Sequence, residues 1–355
     1  MKKVRTYPEG RVPYGKTSSN EDALVALLSN RGLKWEDEAA IRSVLRTIGY
    51  YRLTGYLHPF RKEGSETYRE NANLDLVWRL YSFDRRMRLV IADALARIEI
   101  SLRARIVDVH TAAHDGDPFV YAKPEALPKF SPSRFEKFLK GITDAVNRAE
   151  GEDEPAVVHF RRTYNDEHLP IWTAMEYLSF GDVTTYYEGL LPELKEKISN
   201  TYGISPGPFV GWLRTLRRLR NICAHHGRIW NRKLNTRISY TFDKVEGLKD
   251  LWDCVVPNRE TPYTTVFTAL SLCAWLIRVI RPESKWTSRV KELLADYPEV
   301  PLVAMGFPAD WQKLALWKEP DEEKEEDEAA DSDKDSPPDP DSSASAPPAP
   351  APAAK

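Results

Sequence analysis

The sequence predicts an all-α protein, and three observations carry that reading. From 74 to 113, apolar residues Leu80, Met87, Ile91, Ala94, Leu95, Ile98, Leu102 and Ile106 recur at helical spacing. Shorter stretches before and after repeat the pattern. No convincing set of alternating apolar and polar residues suggests strands. With 42% apolar residues in 355, the chain has ample material for a core.

Residues 1–16, with Pro8, Gly10, Pro13 and Gly15, read as an extended arm. Ser18, Ser19, Asn20 and Glu21 offer a capping box ahead of Ala23, Leu24, Leu27 and Leu28, and Gly32 closes this first helix. Ile41, Val44, Leu45 and Ile48 give a second, with Gly49 as its stop. Two short helices and a glycine turn suggest a helix-turn-helix. However, Glu36, Asp37 and Glu38 stand where a recognition helix would meet phosphates, so a packing pair is the better reading. Tyr50 to Leu57 reads as an aromatic, glycine-punctuated connection.

The long helix is expected to break near Ser82 and to end before Asp115-Gly116-Asp117-Pro118. Arg86 and Arg97, eleven residues apart, share an azimuth on it, and Arg103 and Arg105 extend the charge; Glu99 either pairs with one of these arginines or faces water, and water is the preferred reading. Helical segments follow at about 132–149, 153–164, 170–179, 182–189 and 192–202. Ser205-Pro206 opens a helix carrying Trp212, Leu213, Leu216 and Leu219, and segments near 262–281 and 285–296 close the body. The organisation is thus an arm (1–16), a helical domain (17–318) and a tail (319–355).

The tail holds 13 acidic and 3 basic side chains and almost nothing apolar, so it cannot offset its ordering entropy and is expected to be disordered. Residues 1–318 then carry 48 basic and 40 acidic side chains, a moderately basic body. Cys223, Cys254 and Cys273 are too few and too irregular for a disulfide framework or zinc knuckle. There is no apolar leader and no run of 18 apolar residues, which reads as soluble and cytoplasmic, with no membrane partner.

Chemistry concentrates at 218–233. Between Lys197 and Asp243 there is no acidic residue, while Arg214, Arg217, Arg218, Arg220, Arg228, Arg232, Lys233 and Arg237 are all positive. An anionic partner is the natural reading. If the helix runs through His226, Asn221 and His225 share a face, and the amide can fix the imidazole tautomer. Arg220 lies about 140° round from His225, so a phosphate bridging them calls for a second helix or subunit.

The set suits RNA cleavage by the substrate's own 2′-hydroxyl. Imidazole titrates near working pH and suits the proton steps, while guanidinium forks onto phosphate. Neither metal nor cofactor is required. Adjacent histidines point about 100° apart and do not converge on one ion, and no carboxylate is near in sequence, which disfavours a metal site. Cys223, between Ile222 and Ala224, reads as a small buried residue rather than a nucleophile. The plain alternatives are two solvated histidines on a basic helix, and passive RNA binding without cleavage.

Arg220-Asn221 and His225-His226, with Arg228 and Asn231 downstream, resemble the R-N-x-x-x-H motif of the Abi-like family of abortive-infection proteins, within the HEPN superfamily. Three other stretches agree. They are Arg31-Gly32-Leu33 with the later run from Ile48 to Tyr56, then Phe83-Asp84-Arg85, then Trp172, Glu176 and Leu178-Ser179-Phe180-Gly181. The likeness spans about residues 16–290 and leaves the tail outside. It implies a HEPN-like helical bundle with an N-terminal helical extension, and a metal-independent endoribonuclease active in phage defence. It also implies a composite site, which a chain with one motif completes only as a homodimer, and a structured non-coding RNA as restraint. By this resemblance Arg220 is the phosphate clamp and His225 the acid/base, with Asn221 and His226 as supports. Arg214, Arg217, Arg218, Arg228, Asn231, Arg232 and Lys233 are then expected to bind RNA. The alternative is a non-catalytic RNA-binding regulator on the same fold.

Overall fold

A computed structural model describes residues 10, 12–15, 17–234, 245, 247–251 and 264–318. Most of the predicted arm, Arg237, Cys254 and the tail 319–355 lie outside the described residues. The organising element is α4 (Leu74–Ala112), about 58 Å long at 1.5 Å per residue. The Asn73 side chain caps it by accepting from Leu76 N–H. Its periodic apolar residues, Leu80 through Ile106, are buried. The expected break at Ser82 does not occur. A serine costs a helix interior only tenths of a kcal/mol, and its neighbours Phe83 and Asp84 are both fully buried and hold the backbone in place.

Around α4 pack α8 (Phe180–Gly189), α9 (Pro192–Asn200), α10 (Pro206–Ala224), α11 (Val266–Ile280) and α12 (Trp286–Ala295). The most apolar of these, α11, is buried over nearly its whole length. Its N-terminal end is covered by the segment with 3-10 turns at Leu302–Met305, Trp311–Lys313 and Ala315–Trp317, through a cluster of Phe267, Phe307, Trp311 and Trp317. Between α4 and α8 lie α5 (Pro132–Gly151), α6 (Pro155–Thr163) and the single turn α7 (Ile171–Ala174). The predicted segment 170–179 is shorter than expected. After a 3-10 turn at Met175–Tyr177 the chain extends at Leu178, and a Ser179–Asp182 capping box starts α8.

The N-terminal pair is α1 (Glu21–Asn30) and α2 (Glu38–Ile48). The predicted box at 18–21 is replaced by Asn20, whose side chain accepts from Ala23 N–H. Glu21 is drawn instead to Arg42 and Arg46 on α2, and Arg42 also holds Asp22 and Glu38. The expected connection at 50–57 is a helix, α3 (Tyr50–Leu57). Gly49, at φ +76°, turns the chain between α2 and α3, and Leu53, Tyr56 and Leu57 bury against α4. Among the described residues there is no strand, only two isolated bridges, Lys34 to Asn73 and Arg61 to Tyr68. None of their helices is long and apolar enough to cross a membrane.

The α4 charges behave differently from the sequence expectation. Arg86 pairs with Asp296 and Arg97 with Asp93, so both azimuthal arginines are committed within the fold. Glu99 is buried and not in water: it pairs with Arg103 at 2.6 Å, and Arg103 also donates to the Leu178 carbonyl at 2.7 Å. The i, i+4 spacing makes that pairing local.

Candidate functional site

The helix α10 does not run through His226. It ends at Ala224, with His225 as its cap residue and His226 in the left-handed region at φ +53°. His226 N–H donates to the Cys223 carbonyl (3.0 Å) and Gly227 N–H to the Ile222 carbonyl (2.8 Å). This is a Schellman closure with histidine where glycine is usual. A Cβ at Gly227 would lie 3.1 Å from Ile222 Cγ2 and 3.3 Å from the Ile222 carbonyl, so any larger residue would push Ile222 aside by a few tenths of an ångström. Both imidazoles end up exposed.

What holds the turn comes from the far N-terminal half. Asp84, fully buried on α4, accepts from Ile229 N–H (2.9 Å) and Trp230 N–H (2.6 Å) through Oδ1, and from the Tyr56 hydroxyl (2.7 Å) through Oδ2. The same Oδ2 pairs with Arg88, which reaches on to the Gly227 carbonyl at 3.3 Å. Arg52 donates to the His226 carbonyl at 2.5 Å, and Arg228 donates to the Gly55 carbonyl. Burial, then the Asp84 charge, pushes the Tyr56 phenol well above its ordinary range, so it stays a donor. Three stretches that sequence reading singled out separately, 48–56, 83–85 and 220–231, are thus one assembly.

Two grooves flank the end of α10. The first, about 510 Å³, runs between α4 and α10 and is lined by Arg85, Arg88, Glu99, Arg220, Ala224 and His226. Burial raises the Glu99 carboxyl above its usual range, against the opposing pull of Arg103 and Arg220. The second, about 570 Å³, lies on the other side and is lined by Arg214, Arg217, Arg218, Asn221, His225 and Arg232. Burial, with repulsion from Arg218 and Arg228, lowers the Arg232 guanidinium. Arg214 is balanced by Glu188 at 2.9 Å, and Arg218 Nε is buried without a partner. Within one chain, then, Arg220 shares a groove with His226, while His225 shares one with Asn221, as the 140° separation foreshadowed. Asn221 and His225 are joined through the backbone, His225 N–H donating to the Asn221 carbonyl at 3.0 Å.

The remaining expected RNA contacts divide. Lys233 is exposed. Arg228 spends a donor on Gly55, and Asn231, at φ +50°, shapes the turn after Trp230. Sequence reading missed Asp84, Arg52, Gly55 and Glu99 as parts of the site. The one available signal was that Arg52, Gly55 and Asp84 fall inside the stretches carrying the family resemblance.

Cys223 is buried and free, and burial pushes its thiol up to about 12. Iodoacetamide at neutral pH is therefore expected to leave Cys223 unmodified in the folded protein, as mass spectrometry of tryptic peptides would show. Rapid native labelling would mean that the end of α10 opens. Among the described residues no group of three or more His, Cys, Asp or Glu is placed to hold a metal ion.

The described body is thus helical and presents two exposed histidines between two arginine-lined grooves. A family model, that of the Abi-like protein family, matches residues 43–231, more than half of the chain, so the chain belongs to that family. Membership points to a part in abortive infection. No curated protein and no solved structure gives a match.

Proposed function

We propose that this protein is a HEPN-type endoribonuclease that cleaves RNA without a metal and acts in phage defence by abortive infection. The observation that carries the reading is the end of α10, where two exposed imidazoles sit one residue apart, one of them in Arg220's groove, amid arginines with few counter-charges. Arg220 clamps the scissile phosphate. The 2′-oxygen attacks phosphorus and the bond to the 5′-oxygen breaks. One proton leaves the 2′-hydroxyl and another is given to the 5′-oxygen, leaving a 2′,3′-cyclic phosphate and a 5′-hydroxyl. His225 is the principal acid/base and His226, beside Arg220, supports the second transfer. Arg217, Arg218, Arg232 and Lys233 draw in the flanking strand.

A second copy completes the site in this reading. Leu89, 63% exposed, lines the first groove with Ala92 and Ala96, and Ile100, 61% exposed, extends this apolar stripe of α4 beyond it. A partner seated there brings a second arginine–histidine set opposite the first.

Incubating wild type with total RNA in EDTA and mapping fragment ends tests the proposal. Cyclic phosphate ends in wild type that are absent with His225→Ala are expected. RNA bound and protected but never cut would favour a regulator instead.

A further inference from the structure

A third, smaller pocket of about 220 Å³ opens beside His226, lined by Tyr51, Arg52, Gly55, His226, Gly227 and Arg228. Tyr51 is 92% exposed although it sits within α3 and next to the Arg52 contact that fixes His226. Tyr51 and Gly55 are four residues apart on one helix face. Side chains on a helix lean toward its N-terminus, so a long side chain at 55 would lean toward the Tyr51 ring. Gly55 has none, and a Cβ built there would meet nothing within 4 Å. Glycine weakens a helix relative to alanine. With glycine at 55, no side chain from that position enters the slot beside the uncovered Tyr51 ring.

We infer that this slot is a base-binding subsite, in which an unpaired nucleobase next to the scissile phosphate stacks on Tyr51. The inference rests on the ribonuclease reading for its place in the reaction, but not for the binding itself. The slot's size and its open aromatic wall suit a flat π-system, and stacking tolerates any base. Arg52 and Arg228 line it, each with guanidinium donors beyond the one given to the His226 or Gly55 carbonyl to offer the nucleotide's phosphates. The substrate class is accordingly single-stranded RNA, because a base held in a duplex cannot enter.

The test uses the full chain and a cleavage-resistant 2′-O-methyl single strand, with an otherwise identical strand carrying abasic positions. Wild type is expected to prefer the base-bearing strand. Tyr51→Ala should weaken it by about 5- to 150-fold and change abasic binding little, while Tyr51→Phe restores affinity. Gly55→Leu, a better helix former in open space, should give the same selective loss by filling the slot. Equal affinity of wild type for the two strands, or equal losses on both in the variants, overturns the subsite. A wild type that distinguishes the strands yet never cuts unmodified RNA sinks the nuclease reading and leaves the subsite standing. One that cuts base-bearing and abasic linkages equally well does the reverse.

Discussion

Replacing His225 with alanine is expected to lower RNA cleavage by about 10²- to 10⁴-fold, the usual contribution of a positioned acid or base, with RNA affinity nearly unchanged. The side chain is exposed, so its removal opens no cavity and the fold should be unaffected. His226→Gly gives a sharper result because stability and activity should move in opposite directions. At φ +53° a histidine is strained, and glycine relieves that strain for a net gain of roughly 0.5–1 kcal/mol. The variant should therefore melt higher yet cut more slowly. A glycine variant that is more stable and fully active would remove His226 from the chemistry and leave Arg220's groove without an imidazole of its own chain. Calorimetry and single-turnover cleavage on the same preparations decide the matter.

That strain was not legible in the sequence, because an R-N-x-x-x-H pattern on a helix gives no sign of where the helix stops. What was legible was local. The periodicity from Leu80 to Ile106 predicted α4, and the apolar face from Trp212 to Leu219 predicted α10. The angular separation of Arg220 and His225 followed from helix geometry alone, and the two now line different grooves. Missed features depended on distant partners. Tyr50 to Leu57 reads as a connection because its aromatics and Gly55 obscure the burial of Leu53, Tyr56 and Leu57, which only α4 supplies. Glu99 reads as a surface carboxylate until Arg103, held in turn by the Leu178 carbonyl, closes over it. The Glu99–Arg103 spacing is local, but the Leu178 carbonyl that holds Arg103 over it lies 75 residues away, beyond what spacing along the chain reveals.

Asp84 is the extreme case, and truncating it should cost stability most. Its carboxylate is fully buried and serves two backbone amides about 145 residues away, the Tyr56 hydroxyl and the Arg88 guanidinium. Asp84→Ala strands a buried arginine as well as both amides, and breaking one side of a buried ion pair costs about 3–5 kcal/mol. Urea unfolding should show that loss, and a cost under about 1 kcal/mol would mean that the carboxylate does not hold the turn. Asp84→Ala with Arg88→Met distinguishes stability from placement. Replacing a buried pair by apolar groups is often nearly neutral, so the double variant should regain much of the stability. It cannot regain the acceptor for Ile229 and Trp230 N–H, so the 226–230 turn should stay loose and cleavage should stay low. If activity returned along with stability, α10 and its own closure would suffice to aim the histidines. If stability returns without activity, the aim of the histidines is set by one carboxylate on α4, a residue that never touches the substrate.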